Sequence, residues 1–379
     1  MKILVAGDFV PSQRIATQIE QGNYRCLDNV KPIIQTVDYA IVNFESPVVT
    51  HPDVKPIEKT GPSLKCSGKA MECVAQAGFH CVTLANNHFR DFGDVGVVDT
   101  LQACVLNNVD YVGGGKNIAE AEKILYKKIN GQILAVINLC ENEWSIASEN
   151  RGGAAPLNII RNYYAIQDAK KIADVVLVIV HGGHEFYQLP SPRMVNTYRF
   201  FIDAGADAVV NHHQHCYSGY EVYNGKPIFY GLGNFCFDKN VGKNELLWIH
   251  GYLLELQIND TINFCLYPYK QCDENLASIH MLKNRNWFDI ELQKLNLIIS
   301  DSHQLQYNFE LFELKEEGKA KNILVPYSNI ILKKISDKGF LPSFITKNRV
   351  KKLLAYVQCE SHRDILLFDL SMLINKGGD

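Results

Sequence analysis

The sequence predicts an α/β fold of stacked layers, because two kinds of pattern alternate along it. Short β-branched runs recur through the first two-thirds of the 379 residues, and amphipathic helical patterns lie between several of them. The predicted strands cover 2–6, 39–44, 81–84, 111–113, 132–139, 175–180 and 208–211. The predicted helices cover 69–77, 95–107, 159–173 and 191–205.

From about Ile228 the pattern changes to strands that follow one another closely. Strands are predicted at 228–232, 248–258 and 261–271, and the turn signal Asn259-Asp260 separates the last two. Closely spaced strands joined by turns are typical of antiparallel hairpins, so the sheets should be mixed rather than purely parallel. Two sheets packed face to face and flanked by helices would accommodate both halves.

Beyond about residue 273 the composition shifts to Lys, Asn, Leu and Phe at helical spacing, as in 287–301 and 348–360. The sequence therefore predicts a main domain over 1–272 and a helical appendage of unknown function over 273–379.

Composition narrows the class of protein. Charged residues make up 21% of the chain and the formal net charge is −3, so strong attraction to nucleic acid or an anionic membrane is not expected. A small molecule or an uncharged polymer fits better as a partner. The eleven cysteines are odd in number and scattered, which favours reduced thiols over a disulfide framework.

The N-terminus leads directly into the first strand pattern, without the apolar stretch and cleavage site of a signal peptide. The longest apolar run, 175–180, is far too short to span a bilayer, so no transmembrane segment is expected. These features predict a cytoplasmic protein.

Five stretches rich in metal-binding residues follow predicted strands. They are 7–8, 43–45, 86–88, 181–185 and 211–215. Carboxylate, amide and imidazole groups at strand ends share one edge of an α/β sheet, where they can bind a divalent metal. The sequence therefore predicts a metal-dependent hydrolase.

Asp8 and Glu45 are the two acidic candidates for metal ligands, and the sequence evidence for them differs. Asp8 follows a strand and a glycine, an arrangement that is also common in turns and helix caps. Glu45 ends a strand shortly before Pro47, where a carboxylate is usually exposed unless it meets a cation. Asn43 and Ser46 lie beside Glu45 and would orient its carboxylate.

The stretch from Asn86 to Asp91 combines three useful groups. The side-chain oxygen of Asn87 can be a neutral metal ligand, and the imidazole of His88 can donate a proton to a leaving group. Asp91, three residues later, can hold that imidazole. The alternative is an Asn-rich turn with a helix cap.

The histidines divide into ligands and neighbours. His181 ends a strand, and His213 and His215 project on the same side of an extended segment because strand side chains alternate with period two. The last two can thus reach one metal or two adjacent metals. His184 and His212 are expected to lie outside the ligand set.

Seven motifs, in this order, resemble the bacterial capsule-synthesis CapA family of poly-γ-glutamate capsule proteins. They occupy 7–8, 43–47, 85–93, 181–186, 203–208, 213–215 and 230–235. The resemblance covers roughly residues 1 to 240. That family in turn resembles the calcineurin-like metallophosphoesterases, which implies a four-layer α/β/β/α sandwich with a metal site at the strand ends.

The resemblance also implies roles for single residues. It implies carboxylate ligands at Asp8 and Glu45, an amide ligand at Asn87, and a general acid at His88. His181 and His213 would serve one metal and His215 the other, with manganese, iron, zinc or magnesium as the divalent ion. Two positions depart from the wider phosphoesterases: Val10 stands where their first motif has a histidine, and Glu45 replaces their bridging aspartate. The first metal would then have about three protein ligands, so the protein holds one metal or two.

Two classes of function are compatible with these residues. The first is a hydrolase of a phosphoester, or of an amide-linked bond, in capsule or extracellular polymer synthesis. Its partners would be a polymer precursor, or a small phosphorylated or amide substrate, together with other capsule synthesis proteins. The second is a non-catalytic component of a polymer synthesis complex that kept the fold.

Overall fold

The computed structural model describes residues 1–239, 245–316, 329–338, 340–341 and 345–376. The strands are β1 Lys2–Phe9, β2 Tyr39–Phe44, β3 Cys81–Thr83, β4 Asp110–Val112, β5 Gly114–Gly115, β6 Leu125–Ile129, β7 Gln132–Cys140, β8 Gly153–Ala154, β9 Val175–His181, β10 Ala208–His212, β11 Tyr220–Tyr223, β12 Lys226–Phe229, β13 His250–Ile258, β14 Ile262–Gln271 and β15 Ile279–Met281.

The helices begin with α1 Gln13–Glu20, α2 Lys31–Ile34, α3 Lys69–Ala77, α4 Gly93–Leu106, α5 Ile118–Ala121, α6 Ile159–Ile172 and α7 Pro192–Ala204. They continue with α8 Glu245–Ile249, α9 Asn286–Ser300, α10 Ser302–Lys315, α11 Ile330–Asp337, α12 Lys347–Gln358 and α13 Glu360–Lys376. A short 3-10 turn covers Arg25–Leu27.

Two large mixed sheets organise the first part of the chain. The first has the order β15-β14-β13-β1-β2-β3-β4, and the second has the order β11-β12-β10-β9-β7-β6. Strands β1 to β4 are parallel to one another, as are β7, β9, β10 and β12, whereas β13, β14 and β15 pair antiparallel. The predicted mixture of parallel strands and hairpins is confirmed.

Three buried apolar clusters show that the two sheets and the helices on their outer faces form four layers. Side chains such as Val5 and Leu177 fill the space between the two sheets. The other face of the first sheet packs on α1, α3 and α4, and the other face of the second sheet packs on α6 and α7. The α/β/β/α sandwich is therefore confirmed, with the carboxyl ends of both parallel strand groups available to form one site.

A bulge at Gly7 sets the end of β1. The pairing with β2 runs from Ala6 opposite Val42 to Asp8 opposite Asn43, so Gly7 has no partner of its own in that register. A Cβ at Gly7 would lie 1.9 Å from the carbonyl oxygen of Gly233, which only glycine can accommodate. Bulges next to functional sites redirect side chains, and this one directs Asp8.

Several of the strand predictions need correction. The strand predicted at 248–258 begins at His250, because Trp248 and Ile249 end the short helix α8. The strand predicted at 228–232 is β12 and ends at Phe229. The prediction also missed the edge strands β6 and β11, whose side chains are only partly buried.

The chain forms two compact units, Met1–Phe309 and Glu310–Asp379. The first unit extends past the predicted boundary at 272 because α9 packs onto the sheets. Phe288 is fully buried, with its ring 4.8 Å from that of Tyr217, and the Asn296 side chain accepts a hydrogen bond from the Tyr220 N–H. The second unit is helical in its described residues.

All eleven cysteines lie in the described ranges and are free thiols. Most are buried, as expected of thiols that pack as small apolar groups. Among the described helices, none combines the length and the apolar character that crossing a bilayer requires.

The packing of α9 predicts the effect of one core substitution. Phe288→Ala should lower the free energy of unfolding by about 3–5 kcal/mol, because it leaves a cavity between α9 and the sheets. Leu297→Ala, on the same helix but 69% exposed, should change it by less than about 0.5 kcal/mol. Urea denaturation of the full chain measures both, and equal effects would contradict this account of the first unit.

Candidate metal centre

The strand ends of the two sheets bring the predicted site residues together. Asp8 lies in β1, Glu45 directly follows β2, and Asn87 follows β3. From the second sheet, His181 ends β9, and His213 and His215 follow β10. All are buried except Asn87, which is half-buried. The cluster is therefore shared between the two sheets.

One group of donor atoms, here called the histidine set, consists of Glu45, Asn87, His181 and His213. The Nε2 atom of His181 lies 3.1 Å from Asn87 Oδ1, 3.1 Å from His213 Nδ1 and 3.6 Å from Glu45 Oε1. Bonds of about 2.1 Å to one cation allow ligand atoms to be up to about 4.2 Å apart. These separations fit one shared ion.

A second group, the aspartate set, consists of Asp8, Glu45 and His215. His215 Nδ1 lies 3.5 Å from Asp8 Oδ2, and His215 Nε2 lies 3.9 Å from Glu45 Oε1. The ligand atoms of this set all lie within 4.8 Å of one another. Glu45 belongs to both sets, so its carboxylate stands where it can bridge two ions.

Glu45 carries the strongest sign that the site is built for a cation. Its side chain is 0% exposed, and neither carboxylate oxygen has a hydrogen-bond partner among the described residues. Burial raises the pKa of Glu45 well above its usual range, and the charges of Asp8 and Glu185 add to the rise. A buried carboxylate without partners is costly unless a cation compensates it.

Asp8 is held differently, by donors on several sides. Asn43 Nδ2 donates to Asp8 Oδ1 at 2.8 Å, and the His213 N–H donates to Oδ2 at 3.2 Å. Burial alone would raise the pKa of Asp8, but the nearby imidazoles of His212 and His215 outweigh it and lower this pKa well below its usual range. Asp8 is therefore the ionised carboxylate of the pair.

Two neighbours of the ligands differ from the prediction. Asn43 orients Asp8 and not Glu45, and the hydroxyl of Ser46 has no hydrogen-bond partner among the described atoms. His212, expected to lie outside the ligand set, is buried with its Nδ1 3.4 Å from Asp8 Oδ1 and belongs to neither donor set. The ring of His184 lies 5.5 Å from that of Phe309.

The imidazoles of the histidine set are held in their neutral form. Burial lowers the pKa of His181 well below its usual range, with His213 adding to the effect. Burial and His215 lower the pKa of His213 to about 4. Only the neutral imidazole has a lone pair for a metal, so these residues keep that lone pair at physiological pH.

His88 and Asp91 form a buried pair beside the ligands. The His88 Nδ1–H donates to Asp91 Oδ2 at 2.7 Å, which leaves Nε2 for other contacts. Burial lowers the pKa of His88, although Asp91 opposes that effect. Lys59, which no sequence pattern singled out, lies 2.5 Å from Asp91 Oδ1.

Several non-glycine residues at or near the site have a strained backbone conformation. His213 and His215 have φ angles of 89° and 55°, and Phe186 and Cys236 have 60° and 66°. Non-glycine residues rarely adopt the left-handed region, at a cost of about 1–3 kcal/mol each. Strain of this kind persists where the surrounding structure and a function require it.

The aspartate set has an apolar wall. Val10 packs with Phe237, Trp248 and Ile249 in a buried apolar cluster. The rings of Phe237 and Trp248 lie 5.5 and 5.1 Å from that of His215. This set therefore offers three protein ligands.

Asn234 fixes the orientation of His215. Its side-chain oxygen lies 2.9 Å from His215 Nδ1, and its amide donates to the carbonyl oxygens of His215 and Trp248. The Nδ1–H of His215 is thus held by Asn234, and the lone pair of Nε2 faces Glu45. Asn234 lies within the motif at 230–235, but that motif did not reveal this role.

The chain matches the model of a known protein family. The model of the family described as "Bacterial capsule synthesis protein PGA_cap" matches residues 2–239. The chain belongs to the PGA_cap family. The match includes every donor of both sets, together with His88, Asp91 and Lys59.

Curated relatives of this PGA_cap member include two Bacillus proteins. The capsule biosynthesis protein CapA of Bacillus anthracis is 33% identical over 248 residues, which cover 63% of this chain and 60% of that protein. The PGA biosynthesis protein CapA of Bacillus subtilis is 35% identical over 237 residues, covering 62% of each. The chain thus matches about three-fifths of the length of these relatives.

A more distant relative is a probable polyglutamine synthesis accessory protein of Mycobacterium tuberculosis. It is 28% identical over 220 residues, covering 54% of this chain and 55% of that protein. Among solved structures, a hypothetical protein from Thermus thermophilus aligns weakly, with a TM-score of 0.46 and 14% identity over 71% of this chain and 99% of that chain.

The burial of Glu45 predicts a pH-dependent stability in this PGA_cap member. Because its folded pKa is raised, the metal-free protein should lose stability as the pH rises above about 4.5, the ordinary pKa of glutamate, until the folded pKa is passed. Glu45→Gln removes that titration. In the presence of a chelator it should melt at least about 2 °C above the wild type at pH 8.

Added manganese should reverse the order, because only the wild type has a carboxylate at position 45 to bind the ion. Differential scanning fluorimetry from pH 5 to pH 8, with and without manganese, measures both effects. A Glu45→Gln protein that melts lower than the wild type under all these conditions would show that Glu45 stabilises the fold without a cation.

Proposed function

We propose that the protein is a metal-dependent hydrolase that cleaves a phosphoester, or a chemically related bond, in the synthesis of a capsule or another extracellular polymer. The observation that carries the proposal is the Glu45 carboxylate, fully buried and unpartnered between two donor sets. Membership of the PGA_cap family supports the biological setting. The chemistry rests on the site alone, because a fold does not fix a function.

The donor residues fit one or two divalent ions. Carboxylate, amide and imidazole ligands suit manganese, iron, zinc or magnesium, which the ligand types alone do not distinguish. A divalent ion held there would lower the pKa of water and neutralise charge that develops on a substrate oxygen. The protein contributes the orientation: Asn43 holds Asp8, and Asn234 holds His215.

His88 is the residue placed to transfer a proton. Its Nδ1–H is held by Asp91, so Nε2 is the nitrogen that a substrate can meet. A proton carried at Nε2 would pass to the leaving-group oxygen or nitrogen as the bond breaks. Asp91 keeps the ring oriented and stabilises the imidazole while it carries the extra proton.

The charged residues near the site affect how an anionic substrate could be attracted to it. Arg90, the arginine within the motif at 85–93, donates to the Gly152 carbonyl oxygen and pairs with Asp94, so it is already engaged. The charges of Glu143 and Glu185 act on Glu45. An anionic substrate would therefore depend on the bound ions for its attraction, and an amide-linked precursor remains the second substrate class.

A second candidate function has one observation in its favour. Val10 closes one side of the aspartate set with an apolar wall, which would suit a component that retains one metal, or none, and assists assembly without turnover. The intact histidine set and the His88–Asp91 pair favour the hydrolase.

Metal content and turnover separate the two functions. Elemental mass spectrometry of the purified full chain should give one or two ions per chain, and manganese, iron, zinc or magnesium should support hydrolysis of bis(4-nitrophenyl) phosphate or 4-nitrophenyl phosphate. A protein without bound metal and without turnover under any of these ions would favour the assembly component.

Paired substitutions separate proton transfer from metal binding. His88→Ala should lower turnover about a hundredfold with metal content unchanged, because it removes only the proton donor. His213→Ala should lower both turnover and metal content. The exposed His303→Ala is the matched control and should change neither. Full activity and full metal content in both site variants would contradict the proposed centre.

A further inference from the structure

Lys59 stands out among the charged residues that the proposed chemistry does not use. Its side chain is only 4% exposed, and its Nζ lies 2.5 Å from Asp91 Oδ1 and 3.3 Å from His88 Nδ1. Lysine is almost never buried without a compensating partner. Its partner here is the carboxylate that holds the proposed acid.

The loop that carries Lys59 is fastened around Asp91. Its ends meet where the Val49 N–H donates to the Cys66 carbonyl oxygen at 2.9 Å. Within the loop, the Ile57 N–H donates to the Asp91 carbonyl oxygen at 2.9 Å, and the Leu64 N–H donates to Asp91 Oδ2 at 2.7 Å. Lys59 therefore comes from a segment tied to Asp91 on both sides of it.

The two oxygens of Asp91 have separate tasks. Oδ2 accepts from the His88 Nδ1–H and from the Leu64 N–H, both at 2.7 Å. Oδ1 makes an ion pair with the ammonium group of Lys59 at 2.5 Å and has no hydrogen bond among the described residues. The lysine is thus placed to fix the rotation of the carboxylate, and through it the plane of the imidazole.

We propose that Lys59 is a positioning residue. By holding Asp91, it keeps the His88 imidazole oriented for proton transfer. The proposal rests on the hydrolase function given above and adds a third member to the His88–Asp91 pair. Removing Lys59 would leave Asp91 Oδ1 buried without a counter-charge, so the carboxylate would turn away from His88. The donors of both metal sets would remain, since Lys59 contacts none of them through a hydrogen bond or ion pair that the described residues show.

The leaving group of the substrate provides the test. Lys59→Met should lower kcat for diphenyl phosphate at least about tenfold more than for bis(4-nitrophenyl) phosphate, because phenolate needs a proton more than 4-nitrophenolate does. KM and metal content should stay unchanged. Lys59→Arg, which keeps the charge, should recover most of the loss. Should Lys59→Met not fold, Lys59→Gln takes its place.

Lys170→Met is the matched control, because Lys170 pairs with Asp207 far along the chain from this loop. It should leave both rates unchanged. An equal loss for both esters, or a loss of metal, in the Lys59 variants would assign Lys59 a merely structural role. Unchanged rates would also overturn the proposal.

A second measurement tests the positioning role of Lys59 without relying on catalytic turnover. In ¹⁵N-histidine spectra of the full chain, assigned with His88→Ala, the wild type should show His88 protonated at Nδ1, and Lys59→Met should shift or broaden those signals. Unchanged His88 signals would overturn the positioning role. If the wild type hydrolyses neither ester with any of the four metals, the hydrolase proposal fails, while these spectra still decide whether Lys59 holds the pair.

Discussion

The burial of the Glu45 carboxylate is the constraint on which the rest of the site depends. A carboxylate without partners between two packed sheets is unfavourable by itself, and its raised pKa is the direct expression of that cost. The surrounding groups are arranged to receive a cation and not to satisfy the carboxylate: neutral imidazoles on one side, and the ionised Asp8 on the other.

Other residues at the site also adopt locally unfavourable conformations that maintain this arrangement. A glycine bulge turns Asp8 into the site, and His213 and His215 occupy left-handed backbone conformations. Side-chain hydrogen bonds then fix the ligands, with Asn43 on Asp8 and Asn234 on His215. The four-layer core supplies the rigidity, because the strands that end at the site are buried on both faces.

Much of the fold and of the candidate site could be predicted from the sequence, for physical reasons that differ between parts of the chain. Fully buried strands such as β9 are unbroken apolar runs, and the polar residues at their ends stand out, so the residues that the structure brings together could be selected from the sequence. The edge strand β6, with two lysines among its five residues, lacks that signal. Lys59 reaches Asp91 only through a long loop, and α9 joins the first unit through the packing of Phe288, neither of which sequence spacing encodes.

The most direct test of the central claim is an anomalous diffraction map from crystals of the protein grown with manganese. We expect a peak within about 2.4 Å of Glu45, bounded by the histidine set, and a second peak on the aspartate side if two ions are bound. Ordered manganese only at surface carboxylates, with Glu45 contacted by none, would contradict the claim that this buried carboxylate exists to hold a cation.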